Sequence, residues 1–469
     1  MTVLLSLTMA LFLAFILALF ESARLGAVKM RAECVTEIAI DSVLAEYHRE
    51  LFSQYGLLMI DTSYGGAVAD ICNTEEHLRG YVHRNLSGTA WSSVTDTADF
   101  THLACRQVKI PVYTRATDGN GAVLRRQILD YMTAEPVEAA MQEAAEHLQI
   151  LRAEGYDTRD VEKEMDENYA NLQQALNAEG VSEDEIDETV RHMHAKRSLG
   201  ILTLTHPDPS AVSDASVTPA SYVSLRGASR GNGELPKESL SAVELLLLDQ
   251  YMMEKCGTYT SEKEGSRLKY QVEYLIAGKP GDRANLESIA TTLLFWREAS
   301  NFTYIMTDED KKAFAETIAV IASILVMTPE IQDPLKLAIL FAWSFAESVS
   351  DVRTLFDGGK VPLVKSKDTW RLSFAGAMLM RSGGSSGEGL SYEEYLRIML
   401  LMTDLNDKTW RLMDLMEMDI RETQGNIHFR IDGCLDTITA HVTIEGGSGF
   451  EGTFIRTRGY TAKKEEENA

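Results

Sequence analysis

The feature that most constrains this sequence is an apolar run close to its first residue. Between Val3 and Phe20 the sequence is VLLSLTMALFLAFILALF, 18 residues in which Ser6 and Thr8 are polar. An α-helix of that length is roughly 27 Å long at about 1.5 Å per residue, which matches the hydrocarbon core of a bilayer. The run therefore predicts a single-pass anchor that includes Val3, Leu11 and Phe20, with the lipid bilayer as a partner.

The residues after the run bear on its cleavage and on its orientation. No basic residue precedes it, and Glu21 to Arg24 do not form a small-residue cleavage site, so we expect an uncleaved anchor. Arg24, Lys29 and Arg31 favour a cytoplasmic bulk by the positive-inside rule, but that rule is weakest before a long domain, and Glu33 lies among the bases. We expect an extracytoplasmic bulk on the cell membrane, and a cytoplasm-facing scaffold is the alternative.

Helix-forming residues continue beyond the membrane and predict one rod from Val3 to about Tyr55. Part of this rod carries a candidate helix-packing stripe, which consists of Glu21, Leu25, Val28, Ala32 and Val35. Two partners suit such a stripe. Either it docks on the globular part of the same chain, or it packs laterally against other helices of the same kind and produces a homo-oligomer through the N-terminal helix.

Strand patterns occur early and late in the rest of the sequence. Val108, Ile110 and Val112 alternate with polar residues as in a strand, and Pro111 favours an edge position. After Gly425 a β-meander is predicted by three alternating runs, namely Ile427, Phe429 and Ile431, then Ile438, Ala440, Val442 and Ile444, then Phe454 and Arg456. The predicted class is α+β, predominantly α: a small antiparallel sheet of one early strand and the C-terminal meander, with a large helical insertion.

The same patterns predict how the chain is organised. The predicted parts are a transmembrane helix and amphipathic stalk (1–61), a small β-containing module (62–118 and 425–462), an acidic helical segment (119–204), a loop or linker (205–239), a helical domain (240–424) and a polar tail (463–469). A capping box begins at Ser182, and one helix is predicted from about Ser391 to Glu422. Separate α and β domains are the alternative arrangement.

Composition excludes several classes of protein. The chain has 45 Lys and Arg against 70 Asp and Glu, a formal charge of -25, which repels the phosphates of nucleic acids. Nucleic acid is therefore not an expected partner. The 5 cysteines have no zinc-binding spacing, and an odd number cannot all pair within one chain, so a disulfide scaffold is excluded.

Two carboxylates are candidates for catalysis. Glu298 and Glu347 lie in apolar helices, where burial raises the pKa of a carboxyl and suits it to acid and base chemistry. Structural pairing is the commoner outcome for such groups, and Arg297 and Arg353 are candidate partners. An extracytoplasmic enzyme that uses these carboxylates is therefore kept as an alternative function.

No metal and no cofactor is predicted. His192 and His194 are two residues apart, so on a helix they point in different directions and do not readily share a metal. Asp118-Gly119-Asn120-Gly121 opens like a calcium loop, but Leu129 stands where an EF-hand needs a Glu, so a plain turn is expected. Asp357-Gly358-Gly359-Lys360 lacks the spacing of a phosphate-binding loop, so a helix-ending loop is expected.

Segments along most of the chain carry a family resemblance. They are Glu21-Ser22-Ala23-Arg24, Ala32-Glu33, Asp41 to Tyr47, Tyr55-Gly56-Leu57, Tyr270 to Lys279 and Asp351 to Pro362. Together they resemble an uncharacterised family of membrane-anchored proteins from clostridia-like Gram-positive bacteria, whose genes accompany loci for Tad (tight adherence) pili. The resemblance extends from Val3 to about Ile420.

The resemblance implies a cellular context. It implies a non-enzymatic envelope protein, a pseudopilin similar to TadE or TadG or an accessory that takes part in pilus assembly, anchoring or adhesion. Its partners would be other Tad assembly proteins or pseudopilins, and no catalytic residue carries over. Pilins place a Glu near the start of the helix, whereas Glu21 lies at the far end, so a place in the filament core is not expected.

Overall fold

The computed structural model describes residues 2–86, 102–133, 200–206, 208–236, 239–325, 332–380, 387 and 389–461. The chain divides into two compact units. Unit 1 consists of 1–136, 220–244 and 413–469, and unit 2 consists of 137–219 and 245–412. The predicted linker is thus shared between the two units. The capping box at Ser182, most of the acidic segment and the polar tail lie outside the described residues.

Most of the described secondary structure is helical, which confirms the predicted class. In chain order the helices are α1 (Thr2–Leu44), α2 (Arg49–Tyr55), α3 (Ile71–Leu86), α4 (Asp118–Thr133), α5 (Ile201–Thr205), α6 (Val223–Arg226), α7 (Ala242–Lys255), α8 (Gln271–Ala277), α9 (Asp282–Thr307), α10 (Glu309–Leu325), α11 (Gln332–Phe356), α12 (Phe374–Met378), α13 (Tyr392–Met402) and α14 (Leu405–Arg421). Unit 1 holds α1 to α4 and α6, and unit 2 holds α5 and α8 to α13.

Within the described residues, unit 1 contains a four-stranded antiparallel sheet, which confirms the predicted small sheet. Its strands are β1 (Ile60–Asp61), β2 (Ala104–Arg115), β3 (Cys434–Gly446) and β4 (Phe450–Gly459). The central strand is β3, which pairs with β2 along one side and with β1 and β4 along the other. An early strand therefore pairs with a strand from the other end of the sequence.

The first helix, α1, has two halves with different surroundings. From Leu4 to Phe20 every side chain is exposed, with Leu11 at 67% and Phe20 at 72%. Beyond Gly26 one face packs on α3 and on the sheet. The buried residues lie at the i, i+3, i+4 and i+7 spacing of one helix face, and they are Val28, Ala32, Val35, Thr36, Ala39, Ile40 and Val43. The helix therefore joins an exposed apolar segment to an amphipathic segment docked in a core.

The predicted continuous rod to Tyr55 is wrong, because α1 ends at Leu44 and α2 begins at Arg49. Tertiary hydrogen bonds fix the intervening turn. Glu46 accepts from His77 Nδ1 at 2.9 Å and from the Tyr81 hydroxyl at 2.7 Å, both on α3. These contacts hold the chain in a turn where its local sequence favours continuing the helix.

The predicted first run of the meander is also wrong, because the chain from Ile427 to Arg430 forms a turn and irregular backbone, and Ile431 begins a 3-10 helix. The alternation of exposure is nevertheless real, since Ile427 is 71% exposed and Phe429 is 2% exposed. Side chains of α14 satisfy this backbone: Arg421 Nε donates to Phe429 O at 2.8 Å, and Glu417 accepts from Ile431 N at 3.0 Å. Backbone groups that are satisfied by side chains do not require a partner strand.

The edge position predicted from Pro111 is confirmed, because β2 has β3 as its one strand partner in the described residues. The register of β2 shifts around Pro111, so Val108 and Ile110 are buried while Val112 is 38% exposed. At a bulge on an edge strand, the absence of a backbone N–H in proline leaves no ladder hydrogen bond unmade. The open edge is covered here by Asn232, whose Nδ2 donates to Pro111 O at 2.7 Å.

Unit 2 is built from packed helices, with α9, α10 and α11 in mutual contact. One core cluster contains Ile305, Ala315, Leu340, Trp343, Ala346, Leu372 and Ala377. The helix predicted from Ser391 to Glu422 is two helices, which is a correction. Ser391 caps α13 through a capping box with Glu394, and the chain breaks at Thr403 and Asp404 before α14. Asp404 accepts from Asn406 N at 2.8 Å, so an N-terminal cap competes locally with a continuous helix.

Candidate functional site

The exposed apolar half of α1 is the candidate membrane anchor. Val3 lies in α1, and Leu11 and Phe20 are among its exposed side chains. Over an 18-residue window the mean hydropathy is 2.3, and none of that window is buried in the protein. By length and composition this helix is able to span a membrane. No other described helix meets the same criterion.

The structure divides the candidate helix-packing stripe. Glu21 lies 3.6 Å from Arg24 in an ion pair on the helix surface, and Leu25 is 41% exposed. Val28, Ala32 and Val35 are in the core of unit 1, against the sheet and α3. These three side chains are therefore covered by the chain itself.

One end of unit 1 lies next to the candidate anchor, as the contacts of α1 just after Phe20 show. Gly447, between β3 and β4, lies against the side chains of Arg24 and His102. Arg31 Nη2 donates to Leu86 O at the end of α3, at 3.2 Å. Farther along α1, Glu37 pairs with Arg456 of β4 at 3.2 Å. The strands therefore run alongside α1, with the β3–β4 hairpin close to the anchor.

In unit 2, Glu347 belongs to a closed network of buried charges. Its carboxylate accepts from Lys365 Nζ at 2.7 Å and from the backbone N–H groups of Arg371 and Leu372, both at 2.8 Å. Lys365 Nζ also donates to Asp351 at 2.7 Å. Glu347 is 0% exposed and Lys365 is 5% exposed, so water is excluded from the pair.

The same network continues through Asp351 to Arg297. Arg297 Nε donates to Asp351 Oδ2 at 3.0 Å, and Asn301 Nδ2 donates to the same oxygen at 3.0 Å. Arg297 Nη1 donates to the carbonyl oxygens of Pro362 and Leu363. The charges of two cations and two carboxylates therefore cancel within the network, which connects α9 and α11 to the 362–372 loop. In this arrangement Glu347 exchanges a proton with a substrate only after the network opens.

The second candidate carboxylate, Glu298, and the second candidate partner, Arg353, lie outside this network. Glu298 is buried on α9, and its carbonyl oxygen accepts from Ser344 Oγ at 3.5 Å. Arg353 donates to the carbonyl oxygens of Leu204 and Met380, both at 2.7 Å. Burial lowers the pKa of Arg353 from its ordinary value.

Glu273 is a buried carboxyl that the sequence analysis did not single out. Its Oε1 accepts from Tyr259 N and from the Tyr392 hydroxyl, both at 2.8 Å, while Oε2 is buried with no hydrogen-bond partner among the described residues. Burial raises the pKa of Glu273 to about 7. In the sequence, the apolar neighbours of Glu273 in α8 indicate that it is buried. They do not reveal its hydrogen-bond partners Tyr259 and Tyr392, which come from other segments of the chain.

The raised pKa of Glu273 predicts a pH-dependent stability. Between pH 4.5, the ordinary pKa of a glutamate, and about pH 7, Glu273 keeps its proton in the folded chain and has lost it in the unfolded chain. The free energy of unfolding therefore falls as pH rises through that range. The fall is on the order of 3 kcal/mol. Glu273→Gln keeps the acceptor oxygen and cannot ionise, so we expect it to flatten the profile measured by urea unfolding at pH 5 and pH 8.

The control for this prediction is Glu309→Gln, at a side chain that is 85% exposed and should leave the profile unchanged. Asp249, whose pKa burial raises to about 6, contributes a slope of the same sign. The measured quantity is therefore the difference between wild type and Glu273→Gln. Identical profiles for the two would show that Glu273 is ionised in the folded chain.

Unit 1 holds a second cluster of charges, which the sequence analysis missed. Arg226 binds both oxygens of Glu417, at 2.8 and 3.0 Å, and Asp432 at 2.7 Å. Arg421 adds a bond to Glu417 at 2.9 Å. Burial tends to raise the pKa of Asp432, but the Ser229 amide and Arg226 outweigh it and lower that pKa. The cluster joins α6 and α14 to the turn before β3.

The two segments that resemble metal-binding and phosphate-binding loops, at Asp118 and at Asp357, form turns in the structure. Among the described residues no three His, Cys, Asp or Glu side chains are grouped to hold a metal ion, and His192 and His194 lie outside those residues. Asp118 accepts from the backbone of Arg115 and Gly231, and the three residues after it form a left-handed turn. Gly359 N donates to Thr354 O at 2.8 Å, which confirms the helix-ending loop after α11.

No disulfide joins the five cysteines, which all lie in the described residues: Cys34 and Cys72 are exposed, Cys105 is half-buried, and Cys256 and Cys434 are buried.

Comparison with known protein families matches residues 179–446 to a family of unknown function (DUF5702). No curated protein and no solved structure matches the chain. The matched residues include the helices of unit 2 and β3, and they do not include α1.

Proposed function

Because the chain belongs to the DUF5702 family of unknown function, its role has to be argued from its own structure, and we propose a non-enzymatic single-pass envelope protein. In this proposal α1 crosses the cell membrane and the bulk of the chain is extracytoplasmic. The finer part of the proposal is a pseudopilin-like component or accessory of a Tad-type pilus. It would act in assembly, anchoring or adhesion.

One observation carries the proposal: α1 passes without a break from an exposed apolar segment into the core of unit 1. An exposed surface of this kind is stable in hydrocarbon and costly in water, and a helix satisfies its own backbone there. Val28 to Val43 are packed on the sheet. One continuous helix therefore joins the anchor to the sheet, as a subunit held at a membrane requires.

Lateral association has an available surface on the other side of α1. Met30 is 63% exposed, Ile38 is 52% exposed, and Cys34 lies between them, so the three are four residues apart on one face. This face continues the apolar surface of the anchor. It supports packing against the helix of a second subunit or of a pseudopilin, with the Val28, Ala32 and Val35 face left to the core.

Protease accessibility tests the topology. Wall-stripped cells treated with proteinase K are expected to lose peptides from Tyr64 to Ala469 and to keep a membrane-protected fragment that contains the N-terminal helix. Mass spectrometry of the fragments makes the measurement, and an intact cytoplasmic marker is the control. Full protection of the chain would contradict an extracytoplasmic bulk. Unchanged piliation and adhesion after deletion of the gene would contradict the pilus role.

A cytoplasm-facing scaffold is the second candidate, and the membrane-proximal end of unit 1 favours it. Arg24, Lys29 and Arg31 follow the anchor on α1. Basic groups at this level suit the cytoplasmic side. Full protection in the protease experiment is the result that this candidate requires.

A further inference from the structure

A pocket of about 160 Å³ lies in unit 1 at the turn before β3. Its wall consists of Ala67, Val68, Ala69, Arg115, Ser229, Arg430, Asp432 and Gly433. We call it the arginine pocket. All of these residues belong to unit 1, although they come from four separate segments of the chain. Gly433 permits the close approach, since a Cβ there would lie 2.7 Å from that of Ala69.

Hydrogen-bond donors with spare capacity converge on the arginine pocket. Arg115 is 7% exposed, its Nη1 donates to Asp432 O, and its buried Nε has no hydrogen-bond partner among the described residues. Arg430 reaches Asp432 through Nε and Nη2, both at 3.3 Å, which leaves Nη1 without a described acceptor. Ser229 is exposed, and its hydroxyl has no acceptor in the described residues. Arg115 Nε is thus a buried donor without an acceptor, next to the half-exposed guanidinium of Arg430, and such a pair beside a cavity favours a charged acceptor.

The carboxylates around the pocket are already engaged. Asp432 accepts from Arg226 at 2.7 Å and from Ser229 N at 3.0 Å, in addition to Arg430. Asp61, Asp70 and Asp118 lie nearby and accept from Ser63 and from backbone N–H groups of the adjacent segments. The pocket therefore presents hydrogen-bond donors to an incoming group more than it presents acceptors.

The pocket lies away from the membrane. The β3–β4 hairpin is close to the anchor. His102 contacts that hairpin two residues before β2 begins at Ala104, and β2 ends at Arg115. Twelve strand residues at about 3.3 Å each place Arg115 roughly 35 Å farther along the sheet. The headgroups of the chain's own membrane are therefore out of reach.

We propose that the arginine pocket binds a small oxyanion group, a carboxylate or a phosphate. The group accepts from Arg115 and Arg430, whose planar guanidinium donors match a pair of oxygens, and from the Ser229 hydroxyl. The methyl groups of Ala67 and Ala69 border the site and limit the size of what carries the oxyanion.

The test is calorimetric titration of the full chain in detergent micelles with inorganic phosphate and, separately, with acetate, against chloride at matched ionic strength. We expect saturable binding of at least one anion. Arg430→Gln and Ser229→Ala should each weaken it, Arg430→Gln at least tenfold. Arg106→Gln is the matched control, because Arg106 is 57% exposed and lies at the other end of β2.

Tighter phosphate than acetate would assign a phosphate ligand, and the reverse would assign a carboxylate. Absence of saturable binding up to about 10 mM of either anion would overturn the proposal. So would equal affinity in wild type and Arg430→Gln. Arg430 is half-exposed and its substitution should fold, which circular dichroism checks, so the test does not depend on replacing the buried Arg115.

Discussion

Replacing Lys365 by Met is expected to destabilise the chain by roughly 3–5 kcal/mol, because it leaves Glu347 and Asp351 buried without their shared cation. Both carboxylates lie at 2.7 Å from Lys365 Nζ, and neither is accessible to water. The Met side chain fills much of the space but donates no hydrogen bond. Urea unfolding followed by tryptophan fluorescence measures the loss, since Trp343 and Trp370 belong to the adjacent core.

The matched control is Lys367→Met, two residues farther along the same loop. Lys367 pairs with Asp310 at 2.9 Å, but the two side chains are 76% and 81% exposed, so solvent screens the pair. We expect no measurable change from this substitution. Equal stability of wild type and Lys365→Met would show that the buried network is not formed in solution.

Placing arginines in the middle of the apolar run is expected to remove the chain from the membrane. Each charge at the centre of a spanning helix costs about 3 kcal/mol, so the pair Leu11→Arg and Leu13→Arg costs about 6 kcal/mol. That corresponds to a roughly 10⁴-fold loss in partition into the bilayer. Both leucines are exposed in the folded chain, at 67% and 54%, so the substitutions leave the core of unit 1 intact.

Flotation of cell lysates in a sucrose gradient makes the measurement, because membranes float and aggregates do not. Ile38→Arg is the control: Ile38 is 52% exposed on the same helix, beyond the anchor, and the variant should float like wild type. If the double variant also floats and resists carbonate, α1 does not hold the chain in the membrane.

The exposed apolar segment of α1 was predictable because its evidence is local. The free energy of transferring a side chain from water to hydrocarbon depends on that side chain alone. Summing it from Leu4 to Phe20 is therefore enough to identify the segment. The end of the same helix was not predictable. Leu44 is followed by good helix formers, and the turn there is held by His77 and Tyr81, which are fixed by the packing of α3.

The strands show the same division. Pro111 indicated an edge because a missing N–H is a property of the residue itself. Alternation at Ile427, Phe429 and Ile431 indicated a strand, and the burial of Phe429 followed the pattern. Whether such a segment pairs with another strand depends on which groups meet its backbone in the folded chain. Here the backbone of Phe429 and Ile431 meets the side chains of Arg421 and Glu417 on α14.

Candidate sites depend most on distant residues. Glu347 was expected to pair with an arginine, and its cation is Lys365 in a loop 18 residues away. The arginine pocket is assembled from Arg115, Ser229 and Arg430, and no pattern in the sequence links them. Each of these residues is unremarkable among its sequence neighbours.

By itself the sequence determined the apolar segment of the N-terminal helix, the predominantly helical α+β class and the strand at the sheet edge, because hydrophobic transfer and backbone periodicity act over a few consecutive residues. The tertiary structure decided which face of α1 is covered, which carboxylates are neutralised and where guanidinium donors are left unmet. Those outcomes depend on segments that meet only after the chain has closed long loops, such as β2 with β3.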